Sequence, residues 1–91
     1  MLKIEVSRQA RKFTPKLPAK YQRQIVNALD NLMINPYPHD SIQMQGRFQN
    51  LRRVSVDEYR IIYHVENDVL FIDVIGRRND DSVYKMLEMK F

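Results

Sequence analysis

Two runs of β-branched and aromatic residues, 59–65 (YRIIYHV) and 69–75 (VLFIDVI), flank the polar triplet Glu66-Asn67-Asp68 and predict a hairpin. With Asn67-Asp68 as a two-residue turn, Glu66 opposes Val69, and side-chain alternation sorts the pair into two faces. One face holds Tyr59, Ile61, Tyr63, Val65, Leu70, Ile72 and Val74 and is apolar throughout. The other holds Arg60, Ile62, His64, Phe71, Asp73, Ile75 and Arg77, a mixture suited to water or a polar ligand rather than to a covering helix. A slip of one residue would mix the two sets, so their segregation selects this register. On it, Ile72→Ala costs more stability than Ile75→Ala.

The remaining pattern supplies a layer for the apolar face. Leu2–Val6 alternates apolar and polar, as a half-buried edge strand does. Ser7 is an N-cap for a short helix turning Ala10 and Phe13 inward, which Thr14-Pro15 ends within two turns. A main helix runs from Pro18, at its first position, to Ile34. Its Tyr21, Ile25, Ala28, Leu29, Leu32 and Met33 form one apolar stripe, with Lys20, Arg23, Gln24, Asn27 and Asn31 away from it. Asn35-Pro36 stops it, and Pro36–Asp40 is a loop.

Residues 41–50 have no clear period, and Gly46 marks a turn among them. Leu51–Ser55 predicts a strand, and a turn at Val56-Asp57 places Arg53 opposite Arg60 and Val54 opposite Tyr59. Beyond Gly76, Asn79, Asp80 and Asp81 cap a short C-terminal helix carrying Val83, Leu87 and Phe91 on one stripe, with Tyr84 rotated about 100° from it. The expected order is β-α-α-β-β-β-α. This is an α+β fold: an antiparallel sheet of an N-terminal strand plus a three-stranded meander, two N-terminal helices on one face and a short C-terminal helix. Residues 1–91 make one domain, too small for a second core, so any site lies on the surface or in a shallow groove.

Composition narrows the chemistry. Without cysteine there is no disulfide, thiolate or zinc-thiolate site, and two widely separated histidines give no metal centre; no cofactor is expected. No run of about 18 apolar residues and no leader pattern occurs, so a cytoplasmic protein without membrane association is expected. The net charge of +4 is unevenly placed, because residues 1–30 carry seven basic and two acidic side chains. That favours a polyanionic partner for the N-terminal third, although a solvated helix surface gives the same pattern.

Arginines opposed on neighbouring strands repel unless an anion lies between them. Arg53 and Arg60 are such a pair, and with Arg77 on their face and Arg78 at the elbow they form a set of phosphate-binding forks. An exposed sheet with solvated arginines is the plain alternative. Cleavage of RNA by its own 2′-hydroxyl needs a proton acceptor, cations for the phosphorane and help for the leaving 5′-oxygen. Tyr84 serves as base if the arginines lower its pKa from about 10, with Arg60 and Arg78 stabilising charge. His64 lies about 13 Å from Arg60 along the strand and reads as a tolerated strand residue, as His39 reads as a loop residue. Tyr37, Tyr59, Tyr63 and Phe48 read as packing, whereas Phe71 is placed to stack a base.

The strand with EYRIIYHV and the following VIGRRNDDSVYK resemble the RelE/ParE superfamily of toxins, and within it the RelE-like messenger-RNA endonucleases. The resemblance implies catalytic roles for Arg60, Arg78 and Tyr84. Arg53 stands for the basic residues of the second strand, typically lysines, and Leu51 occupies a position that can be basic. Arg52, Arg77, Phe71 and Lys85 are the expected RNA contacts, and Arg8, Arg11, Lys12, Lys16, Lys20 and Arg23 the expected ribosome contacts. The resemblance further implies the toxin of a type II toxin–antitoxin pair, cutting mRNA in the ribosomal A site. A RelB-like antitoxin neutralises it, and the complex binds operator DNA through the antitoxin. The alternatives are a ParE-like, non-catalytic inhibitor of DNA gyrase and an RNA-binding module that blocks without cutting. Strict alternation sends Arg78 to the helix-packed face, so a bulge at Gly76 is expected.

Overall fold

Antiparallel pairing of β4 (Tyr59–Glu66) with β5 (Val69–Arg77) forms the centre of the fold, and every other element is placed by it. The computed structural model describes residues 1–79 and 82–90. In chain order these form β1 (Lys3–Val6), α1 (Arg8–Phe13), a 3-10 turn (Thr14–Lys16), α2 (Ala19–Ile34), β2 (Ile42–Gln43), a second 3-10 turn (Gly46–Phe48), β3 (Arg52–Val56), β4, β5 and α3 (Ser82–Lys90). The five-stranded sheet has the order β1-β5-β4-β3-β2. β1 lies at one edge and runs parallel to β5, while the other neighbours are antiparallel. The result is the expected α+β fold with two differences: β1 joins its neighbour parallel, not antiparallel, because α1 and α2 carry the chain back across the sheet, and there is one strand more, β2, whose two residues are too few to show a period.

Local chemistry explains the element ends. The Ser7 hydroxyl accepts from the Ala10 N–H at 3.2 Å and so caps α1. Pro18 stands one residue ahead of α2, at its cap, rather than at the first helical position. Asn67 and Asp68 have φ of 51° and 64°, left-handed values that Asn and Asp tolerate, and this tight turn sets Glu66 opposite Val69 as expected. The turn between β3 and β4 falls at Asp57-Glu58, one residue later than the pattern predicted. Ser55 therefore opposes Arg60, and Arg53 opposes Ile62. Because the shift moves the pairing by two residues, Arg53 and Arg60 still share a face.

The largest departure from strict alternation lies inside β5. Ile62 pairs with Val74 and Tyr63 with Ile72, so Asp73 is an extra residue and the strand bulges there, not at Gly76. Beyond the bulge every side chain changes face. Ile75, expected on the polar face, is 1% exposed and packs in the main core, whereas Val74 crosses to the Arg60 face. Arg77 moves to the helix-covered side and Arg78 comes to the Arg60 side. The Asp73 carboxylate, 4% exposed, sits 2.6 Å from His64 Nδ1, and this contact ties the extra residue to β4.

The sheet separates two cores. On one face α1 and α2 bury Ala10, Ile25 and Leu32 against Tyr59, Ile61, Tyr63, Leu70, Ile72 and Ile75. The stripe predicted for α2 is the one that packs, and the buried Tyr63 hydroxyl donates to the Pro36 carbonyl at 2.7 Å. On the other face Val83 and Leu87 of α3 pack on Leu51, Ile62 and Val74. This face, expected to stay open, thus has a helical cover at Ile62 and Val74: the bulge adds Val74 to Ile62 and makes an apolar seat. The expected capping residues Asp80 and Asp81 and the stripe residue Phe91 lie outside the described residues.

Candidate functional site

Gly76 opposes Arg60 on the α3 face, and its missing side chain decides how close α3 can lie. A Cβ there would stand 2.4 Å from Val83 Cγ2, the tip of a stiff β-branched side chain. α3 therefore rests directly on the strand. Val83 and Leu87 are buried, and Tyr84, rotated off their stripe, reaches back over β3 and β4. Gly76→Ala is expected to push α3 from the sheet, at a cost of about 1 to 3 kcal/mol, and to speed amide exchange along residues 83–89 while β4 and β5 stay protected. Wild-type melting and α3 protection in that variant would show the contact to be soft.

Tyr84 is where three side chains meet. Its hydroxyl oxygen accepts from Arg53 Nη1 at 3.0 Å and from Arg60 Nη1 at 2.5 Å. The Arg60 Nε–H is buried without a hydrogen-bond partner, an expensive state for a donor. Among the described residues the ion pairs are those of His64 with Asp73 and Glu66, so Arg53, Arg60 and Arg78 have no carboxylate partner. Arg78 follows β5 and is tied to the turn between β3 and β4: its backbone N–H donates to the Glu58 carbonyl at 3.0 Å, and its exposed guanidinium donates to the Asp57 carbonyl at 3.3 Å. The arrangement is a phenol oxygen ringed by cations with unused N–H donors. Such a site suits a phosphate.

Other candidates lie elsewhere. Arg77, expected beside Arg60, lies on the opposite face with its guanidinium 5.8 Å from the Tyr59 ring centroid. Arg52 faces away as well, donating to Ser41 Oγ at 2.9 Å and to the Ser41 carbonyl at 3.2 Å. Phe71 is on the Arg60 face but at its far end, stacked on His64 at 4.9 Å with planes 9° apart. Lys85 is exposed on α3. Arg8, Arg11, Lys12, Lys16, Lys20 and Arg23 are all exposed on α1, α2 and the turn between them, and Arg8 lines a groove with Met86 and Met89 of α3.

Sequence reasoning missed the strip before β3. β2 and the turn after it place Ile42, Met44, Gln45 and Phe48 beside Arg53 and Tyr84, lining a groove of about 330 Å3. The alternation of Ile42 and Met44 ahead of Gly46, which has a φ of 67°, was the available signal. Among the described residues no cluster of three His, Asp or Glu is placed to hold a metal ion, and no helix is long and apolar enough to cross a membrane.

Solved structures share this architecture. The archaeal RelE–RelB complex from Pyrococcus horikoshii OT3 is similar at 26% identity and a TM-score of 0.75, over 86% of this chain and 96% of that one. A mutant of the E. coli toxin RelE in the free state gives 17% identity and a TM-score of 0.79, over 99% and 97% of the two chains. The YoeB–YefM complex from Staphylococcus aureus gives 18% and 0.71, over 86% and 98%. No curated protein matches the chain by sequence. Sheet order and helix placement thus put the molecule in the class of RelE-like toxin folds. Residues 4–81 match the model for the ParE toxin of the type II toxin–antitoxin system, parDE, and the chain belongs to that family, in the RelE/ParE superfamily of toxins of type II toxin–antitoxin systems.

Proposed function

We propose that this toxin is an endoribonuclease that cuts mRNA on the ribosome by attack of a 2′-hydroxyl on the adjacent phosphate. The observation that carries the reading is the Tyr84 oxygen held between Arg53 and Arg60, with no carboxylate partner for either among the described residues. Tyr84 acts as the general base that takes the 2′-hydroxyl proton, the 2′-oxygen bonds to phosphorus, and the bond from phosphorus to the 5′-oxygen breaks. Arg60, Arg53 and Arg78 stabilise the charge that grows on the phosphorane oxygens. The 5′-oxygen leaves and takes a proton from water, since a guanidinium is a poor acid. The products are a 2′,3′-cyclic phosphate and a 5′-hydroxyl. Mapping RNA ends after expression, and with purified protein with and without ribosomes, tests this: cuts bearing those ends support it, and toxicity without any cut removes it.

The family match favours a second reading, a non-catalytic inhibitor of DNA gyrase, in which the arginines merely pin α3 through Tyr84. The matched residues include Arg53, Arg60 and Arg78 and stop before Tyr84, so the two readings differ in what that phenol does. Inhibition of purified gyrase by protein that leaves RNA intact would decide for the second.

The partner in the cell is a RelB-like antitoxin, which inactivates the toxin by covering the Tyr84 face or lifting α3. Support comes from solved relatives that are complexes of this kind and from the shortness of α3, nine residues held by one apolar stripe. The exposed basic residues of the helical layer hold the protein on ribosomal RNA. Arg8→Glu combined with Lys12→Glu is expected to weaken co-sedimentation with ribosomes by about tenfold and flatten its salt dependence, with folding unchanged. Identical salt series for the two proteins would reduce these residues to a solubilising surface.

A further inference from the structure

We propose that the groove between β2 and α3 is a subsite for one unpaired nucleobase, next to the phosphate held by Arg53 and Arg60; it rests on the reading of that cluster as the RNA-cleaving site. Ile42 opposes Arg53 in the β2–β3 pairing, so the two side chains share a face, and alternation puts Met44 there too. Met44 is half-buried against the α3 core, but Ile42 remains 53% exposed. Ile42 thus offers an aliphatic shelf to water beside arginines that have no carboxylate partner among the described residues.

The covering ligand must be apolar where it meets the shelf and anionic a few ångströms away. Among the described residues no acidic side chain lines the groove, and Arg53 and Tyr84 are part of its wall. A nucleotide has this shape, a charged phosphate joined through a sugar to a flat base. The volume, about 330 Å3, lies at the small end of ligand pockets, which suits one ring system rather than a stacked run.

The test uses the whole protein with labelled isoleucine and methionine methyl groups, titrated with 2′-deoxy trinucleotides of adenine, cytosine or uracil, which bind without being cut. Expected are shifts of the Ile42 and Met44 methyl signals and binding weakened about five- to tenfold by Ile42→Ala. If the trinucleotides bind in competition with inorganic phosphate but leave the Ile42 and Met44 methyls unmoved, the phosphate site stands and the base subsite is overturned. Methyl shifts in a protein that cuts no RNA would support the subsite and remove the cleavage reading. If a poly-glutamate peptide moves the same methyls and the trinucleotides do not, the groove is a protein-docking surface and the proposal is overturned.

Discussion

Tyr84→Phe is expected to lower RNA cleavage by about 100- to 10,000-fold, the range associated with loss of a positioned general base. Phenylalanine keeps the ring where it packs beside the α3 core and deletes the oxygen on which Arg53 and Arg60 converge. The variant also leaves two guanidinium donors without that acceptor, so a stability loss of about 1 kcal/mol accompanies it. Near-native melting with a collapsed rate therefore separates chemistry from a role in pinning α3. Arg78→Ala should lower the rate to a similar degree, because Arg78 is exposed and holds its place only through the Asp57 and Glu58 carbonyls. His64→Ala should leave the rate within a few-fold, since His64 is occupied with Asp73 at the other end of the face. Normal cleavage by Tyr84→Phe, or a dead His64→Ala, would show that the base has been assigned to the wrong residue.

Ile75→Ala is expected to cost about 2 to 5 kcal/mol, as much as Ile72→Ala, because both truncate side chains buried between β5 and the N-terminal helices. The prediction tests the bulge at Asp73 directly. In an unbroken strand Ile75 would sit on the Arg60 face, Arg78 would be trapped under α1 and α2, and the cost at Ile75 would be small. Urea titration of both variants reads the difference. An Ile75→Ala loss under about 1 kcal/mol would mean that β5 runs straight, and Arg78 could not then join Arg60.

The predicted faces hold in the part of the hairpin nearest its turn. Asn67-Asp68 sets the register, and from Glu66↔Val69 to Tyr63↔Ile72 each residue lies on the face that alternation gives it. Past Asp73 the parity is inverted, which cost the face assignments of Val74, Ile75 and Arg77, while the bulge expected for Arg78 falls three residues before Gly76. No local pattern announces this, because Val74-Ile75 is apolar on both sides of the swap and fits either face. The extra residue is accommodated by a contact with His64, nine positions away in the chain and opposite only after the strands pair.

The sequence by itself determined the elements and the pairings that local chemistry controls: the Ser7 cap, the α2 stripe, the Asn67-Asp68 turn, and the shared face of Arg53 and Arg60, which survives a shift of two residues. It also picked out Tyr84, through its place off the Val83 and Leu87 stripe and through the resemblance. Tertiary structure alone decided what depends on the meeting of distant segments. α3 closes over Ile62 and Val74 because Gly76 leaves room for Val83, and this brings Tyr84 onto two arginines more than 20 residues earlier. β2 adds to β3 through two residues that have no period of their own, and its Ile42 becomes the neighbour of Arg53. Alternation and capping are properties of a few consecutive residues and can be read along the chain. A bulge, a two-residue strand and the seat of a helix are set by side chains that become neighbours only when the chain has folded.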